Sequence, residues 1–360
     1  MCRFFAIVQR RCLASFISCL SFSSLMSNHK AIVLHGINEP LMLKEIPVPV
    51  IGQNEALVRI KAAAFNRRDW WIQQGKYAGL KFPIVLGSDG AGVVERVGDD
   101  DQNHWVGQEV VINPSLDWGD NEAFQGKSFR ILGLPDDGTF AEFVRVPVSN
   151  LHKKPAYLSF EEAAALPLGG LTAYRALFSR AGLKRGDKVL VVGAGGGVAT
   201  FALLWAVYAG ATVYVTSGTS AKIEQALALG AKGGVLYTQP DWAEQLRKQA
   251  GGFDIIVDSA LGEGVVHHID LANPGGRIVF FGGTAGDIPA LNARKLFWKQ
   301  LSLLGTTMGS PADFDAMLAF VNQHRAVPVV HATYALNEAE AALRQMDQSE
   351  QFGKIVLNIS

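Results

Sequence analysis

The chain has 360 residues, of which 49% are hydrophobic and 18% charged. That is enough apolar mass for two packed domains around one cleft, and it excludes a largely disordered chain. Its 33 basic and 33 acidic residues cancel, no basic block stands out beyond the N-terminus and no apolar run reaches spanning length, so neither nucleic acid nor a membrane span is expected.

The opening stretch carries Arg3, Arg10 and Arg11, many serines, and no acid before Glu39. Such a composition suits a mitochondrial transit peptide or a poor secretory signal. Translation beginning at Met26 would explain it equally well. Residues 1–26 are therefore set outside the fold as a leader or a non-native extension. The expected location is the cytoplasm, or the mitochondrion if the leader is real. The three cysteines, Cys2, Cys12 and Cys19, all fall in this segment. The folded body thus lacks a thiol for a disulfide, a nucleophile or a thiolate–zinc site.

Residues 30–150 read as β-rich. AIVLHG, LMLKEIPV, EALVRIKAAAF, AGVVERVG and EVVINP are short, β-branched and punctuated by Gly, Pro and Asn. The texture changes near 159, where Ser159 and Glu162 form a capping-box pattern before an Ala/Leu-rich stretch. Strand and helix patterns then alternate through KVLVVGA, TVYVTSG, GVLYT, FDIIVDSA, GRIVFFGG and LSLLGTT. Such alternation predicts βαβ units and a parallel sheet covered on both faces. Ser310 and Pro311 open a helix with Phe314, Met317, Leu318 and Val321 on one face, and GKIVLNI forms a last strand.

Within the first βαβ unit stands VVGAGGGVATFALLW, with glycines at 193, 195, 196 and 197. Glycines let backbone turn sharply and approach a pyrophosphate, and the following helix offers free N–H groups. Gly193, Gly195, Gly196, Gly197 and Val198 are the expected cofactor contacts. Dinucleotide sites for NAD place an acid at the end of the second strand, for the ribose diol. Here that end reads TVYVTSGTSAK, without an acid. Ser217, Ser220 and Lys222 stand there instead and would accept a 2′-phosphate, so NADPH is the expected cofactor.

From residue 28 to 359 the chain resembles the medium-chain dehydrogenase/reductase superfamily. FPIVLGSDGAGVVERVG, DGTFAEFVRVP, AAALPLGGLTAYRAL, VLVVGAGGGVA, GRIVFFGG and GKIVLNI carry the resemblance, in that order. It implies an α/β fold in which a GroES-like β-rich catalytic domain (27–152 and 299–360) is split around a Rossmann domain with a doubly wound parallel sheet (153–298). It also implies a cofactor in the cleft between them, with Thr172 near the nicotinamide and Gly282 and Gly283 among its contacts. Zinc enzymes of the superfamily hold catalytic metal through a Cys, a His-Glu pair and a third ligand. The matching positions here are Asn66, Ser88–Asp89 and ALPLGG, and residues 113–137 contain no structural cysteine lobe. No metal is expected. The adjacent pair His267–His268 reads as helix surface.

The metal-free branch resembles quinone oxidoreductases and enone reductases. Their N-x-x-D-x-x-x-x-x-G-x-Y pattern falls on Asn66, Asp69, Gly75 and Tyr77. Without a Lewis acid, a quinone or an α,β-unsaturated carbonyl is an easier hydride acceptor than a simple ketone. Asn66 and Tyr77 are the expected donors to the oxygen that gains charge, and Asp69 the anchor of the loop. Asp258 and Ser259 end the fourth Rossmann strand beside the crevice, Asp258 as a structural residue. A mitochondrial-type enoyl-thioester reductase and a non-catalytic NADPH-binding protein of the same fold are the alternatives. LSLLGTT, at the edge of the sheet, is expected to pair across a two-fold axis in a homodimer.

Overall fold

A computed structural model describes residues 27–359. The expected leader, with all three cysteines, lies outside the described residues.

The parallel sheet is built from Lys188–Val191, Thr212–Ser217, Gly233–Leu236, Phe253–Asp258, Ala272–Phe280 and Ser302–Gly305. Numbered along the chain within this sheet, the strands lie in the order 3-2-1-4-5-6, and every neighbouring pair is parallel. Alternation along each strand feeds two cores. Val189, Val191, Val213, Val215, Ile255 and Val257 pack with Phe201 and Trp205 of the helix Gly197–Tyr208. Leu190, Tyr214, Ile256 and Ile278 point the other way and pack with Leu246 and Ile269. Both faces are covered by helices, which is why the strands are apolar throughout. The chain reverses direction across the sheet between the first and fourth strands, and a crevice opens there at the carboxyl ends.

The second layer system is antiparallel for the most part. Its larger sheet runs Leu151–Lys153, Glu109–Ile112, Asp89–Val97, Glu55–Ala64, Lys354–Asn358 and Val330–Ala335, with Phe143–Pro147 also paired to Glu55–Ala64. The C-terminal strand Lys354–Asn358 thus returns to pair with Glu55–Ala64, some three hundred residues back along the chain. Both expected helix starts are present. Ser159 Oγ accepts from Glu162 N at 3.2 Å while Glu162 accepts from Ser159 N at 2.8 Å, and Ser310 does the same with Asp313.

The expected return to the catalytic domain at residue 299 is too early. Ser302–Gly305 pairs with Ala272–Phe280 as the sixth strand of the parallel sheet, because its β-sheet partner, not its position in the chain, decides its domain. As expected, it lies at the sheet edge. Leu303 and Leu304 are half-buried there, and the preceding helix Ala293–Trp298 leaves Phe297 67% and Trp298 83% exposed. The histidine pair also needs correction. His267 is exposed, but His268 is buried, with Nδ1 3.6 Å from Asp258 Oδ2 and its ring near Trp242.

Residues 113–137 keep their shape through charge rather than thiolate. Arg175 lies over Trp118 with its guanidinium carbon 4.9 Å from the ring centre. It donates to the carbonyls of Glu122 at 3.0 Å and Ala123 at 2.8 Å, and forms a buried ion pair with Asp313. Arg175→Ala strands the Asp313 carboxylate and frees the lobe. It should lower unfolding free energy by about 3–5 kcal/mol, the cost of breaking a buried pair from one side, as read by denaturant titration. A loss under about 1 kcal/mol would show that the lobe is held by other contacts.

Candidate active site

Between the two domains lies a cleft of about 650 Å³. Asn66, Tyr77, Thr172, Gly196, Gly197, Val198, Gly282 and Gly283 all line it, and so does Ser259. Residues expected from separate motifs therefore converge on one cavity. Gly193 and Gly195 form the turn behind it, at φ of 75° and 113°, values an L side chain rarely adopts. The helix Gly197–Tyr208 begins at this turn with no side chain capping it, so its N-terminal N–H groups face the cleft wall formed by Gly196–Ala199. A Cβ on Gly197 would meet Lys354 Cδ at 2.9 Å. The cradle suits a pyrophosphate, and the residues present fit a dinucleotide.

The three residues expected at the 2′-phosphate lie apart from this wall. Ser217 is buried, and its hydroxyl donates to Ala194 O at 3.1 Å, bracing the glycine loop from behind. Ser220 is exposed at the start of the helix Ser220–Ala228. Lys222 is half-buried, with its stem against Gly195 and its ammonium donating to Ser349 O. Burial lowers its pKa, against the pull of Glu350. Tyr237, which the sequence did not single out, places its hydroxyl 2.8 Å from the position a Cβ on Gly218 would take. It therefore flanks the same strand end.

The polar floor of the cleft is built on Asp89, which is fully buried. Its Oδ1 accepts from Leu168 N at 2.8 Å, at the start of the helix that carries Thr172. Its Oδ2 accepts from Asn66 Nδ2 at 2.9 Å and from Lys354 Nζ at 2.8 Å. Lys354, only 3% exposed, also donates to Asn66 Oδ1 at 2.7 Å. Asn66 thus spends its carbonyl and one N–H inside the protein and keeps one N–H. Thr172 donates its own hydroxyl to Leu168 O at 2.8 Å and can offer a ligand only an acceptor. Ser88 accepts from Arg68 Nη1 at 2.7 Å. Zinc needs about four nitrogen, sulfur or carboxylate ligands. These positions supply an amide, a hydroxyl and one carboxylate already paired with an ammonium, a donor set that does not fit the ion. Among the described residues no three His, Cys, Asp or Glu side chains cluster as a metal site would require.

Lys354, Arg68 and Gln351 also line the cleft but were missed in the sequence. The one available signal was a lysine opening an otherwise apolar final strand. Asp69 anchors its loop as expected, its Oδ2 accepting from Asn66 N at 2.8 Å, while its buried Oδ1 has no partner among the described residues.

This cleft on a Rossmann sheet, closed by a GroES-like domain, defines a two-domain nicotinamide-dependent oxidoreductase. Residues 52–156 match the family model of the alcohol dehydrogenase GroES-like domain, and residues 197–323 that of the zinc-binding dehydrogenases. A zinc-type alcohol dehydrogenase-like protein of Leptosphaeria maculans is 34% identical over 340 residues, covering 89% of this chain and 95% of the relative. The quinone oxidoreductase of Homo sapiens is 28% identical over 341 residues, covering 91% and 97%. A crystal structure of an NAD-dependent alcohol dehydrogenase superposes with a TM-score of 0.86 at 39% identity, covering 92% of this chain and all of that one. The chain belongs to the medium-chain dehydrogenase/reductase superfamily, oxidoreductases that bind a nicotinamide cofactor. No described helix is long and apolar enough to cross a membrane.

Burial is the largest influence on Asp69 and pushes its carboxyl up to about 6 from an ordinary 3.8. The Arg68 charge, the Asn66 N–H and the Lys354 charge oppose it, while Asp89 reinforces it. The folded protein therefore holds this proton more tightly than the unfolded chain does. The contribution of Asp69 to stability is best below about pH 4, declines as pH rises to about 6, and stays lower above that. Asp69→Asn should raise stability near pH 7 by at most about 3 kcal/mol, from roughly two pKa units at about 1.4 kcal/mol each. The two proteins should converge below about pH 4 in melts across pH. A variant less stable than wild type near pH 7 would show that the ionised carboxylate is needed.

Proposed function

We propose that the chain is a zinc-independent, NADPH-dependent oxidoreductase that reduces a quinone or an α,β-unsaturated carbonyl. The observation that carries this is Lys354, whose ammonium lies between Asn66 and Asp89, two residues that the family resemblance matches to the ligand-bearing stretches of the zinc enzymes. That ammonium engages the Asp89 carboxylate and the Asn66 carbonyl, which are then unavailable as metal ligands, and the site is left to substrates whose charge spreads by conjugation. A nicotinamide held against the glycine turn and Thr172 would supply the hydride and its two electrons. Asn66 retains one N–H to offer, and the half-buried Tyr77 hydroxyl lines the same cleft.

NADPH is favoured by this chain's own residues, although the superposed neighbour is named as NAD-dependent. No acid ends the second Rossmann strand, and Lys222 and Tyr237 flank that end. The test is initial-rate oxidation of NADPH and NADH against quinones, enals and enones, with a chelator present. NADPH should be the better cofactor, and the chelator should leave the rate intact. Lys222→Ala should weaken NADPH by about 1–3 kcal/mol and leave NADH nearly unchanged. A preference for NADH, equal losses for both cofactors, or activity abolished by the chelator would each count against the proposal.

The working form is proposed to be a homodimer. The sheet edge Ser302–Gly305, with Phe297 and Trp298 beside it, is an apolar template that a two-fold axis would cover with itself. Leu303→Lys should then give monomers in light scattering. A wild-type monomer at micromolar concentration would overturn the dimer.

A further inference from the structure

We propose that Arg68 is the oxyanion receptor of this cleft, the group that takes up the negative charge on the substrate's carbonyl oxygen. This rests on the carbonyl-reductase function proposed above. Arg68 is 8% exposed and lines the cleft. A buried guanidinium is normally paired with a carboxylate. Here its hydrogen bonds all end on uncharged oxygens: Ser88 Oγ at 2.7 Å, Leu132 O at 2.8 Å, Leu134 O at 3.5 Å and the Tyr77 hydroxyl at 3.4 Å. Asp69 feels its field, but no ion pair joins the two among the described residues. The cleft wall adds the cations Arg67 and Lys76, together with Lys354 already matched by Asp89, and among the described residues the wall itself contains no carboxylate. In a protein of zero formal charge, that wall is built to receive negative charge.

The donors identify the edge concerned. A guanidinium has five N–H groups. The two on Nη1 are engaged at short distances by Ser88 and Leu132. Among the described residues Nε and Nη2 make only the two long contacts, to Tyr77 and Leu134, and at least one Nη2 N–H meets no hydrogen-bond partner there. The weakly used edge is thus Nε–Nη2, beside the Tyr77 hydroxyl, and the guanidinium carbon stands 5.1 Å from the centre of that ring. When the hydride pair forms a C–H bond at the far carbon of the conjugated system, the C=C pair moves next to the carbonyl carbon. The C=O π pair then settles on oxygen as an enolate. Arg68 binds that oxygen most strongly at this stage, because its charge is already in place and need not reorganise. A proton from water, delivered at the carbon beside the carbonyl, completes the reduction.

The test uses the full chain and pairs kinetics with a binding readout that needs no turnover. Para-nitrophenol is coloured only as its phenolate, which mimics an enolate oxygen. Wild type without cofactor should bind the phenolate in preference to the phenol, so that colour develops below the pH at which the free phenol ionises. Arg68→Met should abolish that shift, lower kcat about a hundredfold, and leave the Kd for NADPH unchanged. Arg68→Lys, which keeps the charge but not the fork, should give an intermediate shift and rate, and it serves alone if the Met variant does not fold. Unchanged kcat in a folded variant, or a phenolate shift equal in wild type and variants, would overturn the role of Arg68. Wild type that binds phenolate as expected but reduces no carbonyl would overturn the proposed function instead and leave Arg68 as an anion site.

Discussion

One carboxylate organises the active-site floor. Asp89 joins three parts of the chain that are remote in sequence: the N-terminus of the helix Pro167–Tyr174 through Leu168, the helix cap Asn66, and the C-terminal strand through Lys354. A buried ion pair contributes little net stability, since desolvation offsets its attraction, but it tolerates very little displacement. What it supplies here is position. The Thr172 helix, the Asn66–Tyr77 segment and the glycine loop, whose Gly197 packs on the Lys354 stem, are all referenced to that contact.

Two features set the electrostatic character of the cleft. The Lys354 charge is matched by Asp89 within hydrogen-bond distance, so it shapes the floor without adding a net field. Arg68 carries a charge that only neutral oxygens touch. A metal ion would combine both tasks, fixing geometry and polarising oxygen. Under the function proposed above, the tasks are divided between a neutralised lysine and an arginine that no carboxylate pairs among the described residues.

The legible parts of the sequence were those whose cause is local. Strand alternation, the capping boxes at Ser159 and Ser310, and the glycine loop each depend on residues a few positions apart, and the structure has all of them. The domain boundary at 299, taken from the family resemblance, falls before the strand Ser302–Gly305, whose membership follows its pairing with Ala272–Phe280. His268 could not be placed, because its burial follows from the packing of Trp242 and Asp258 around it. Ser217 was recognisable as the residue replacing an acid, but not its direction: its hydroxyl turns inward to Ala194. Lys354 and Arg68 stayed hidden for a related reason. A lysine opening KIVL and an arginine in NRRD look like surface residues until contacts 265 and 64 positions away are known.

The route of the C-terminal strand has a kinetic consequence. Lys354 meets Asn66 across 288 residues, and loop closure of that length must precede the contact that aligns the floor. During synthesis the Rossmann sheet can form from neighbours in the chain, while the GroES-like sheet waits without its Lys354–Asn358 strand. Until that strand arrives, Asp89 has neither its ammonium partner nor a finished sheet around it. The floor of the cleft is therefore completed only when the end of the chain has paired.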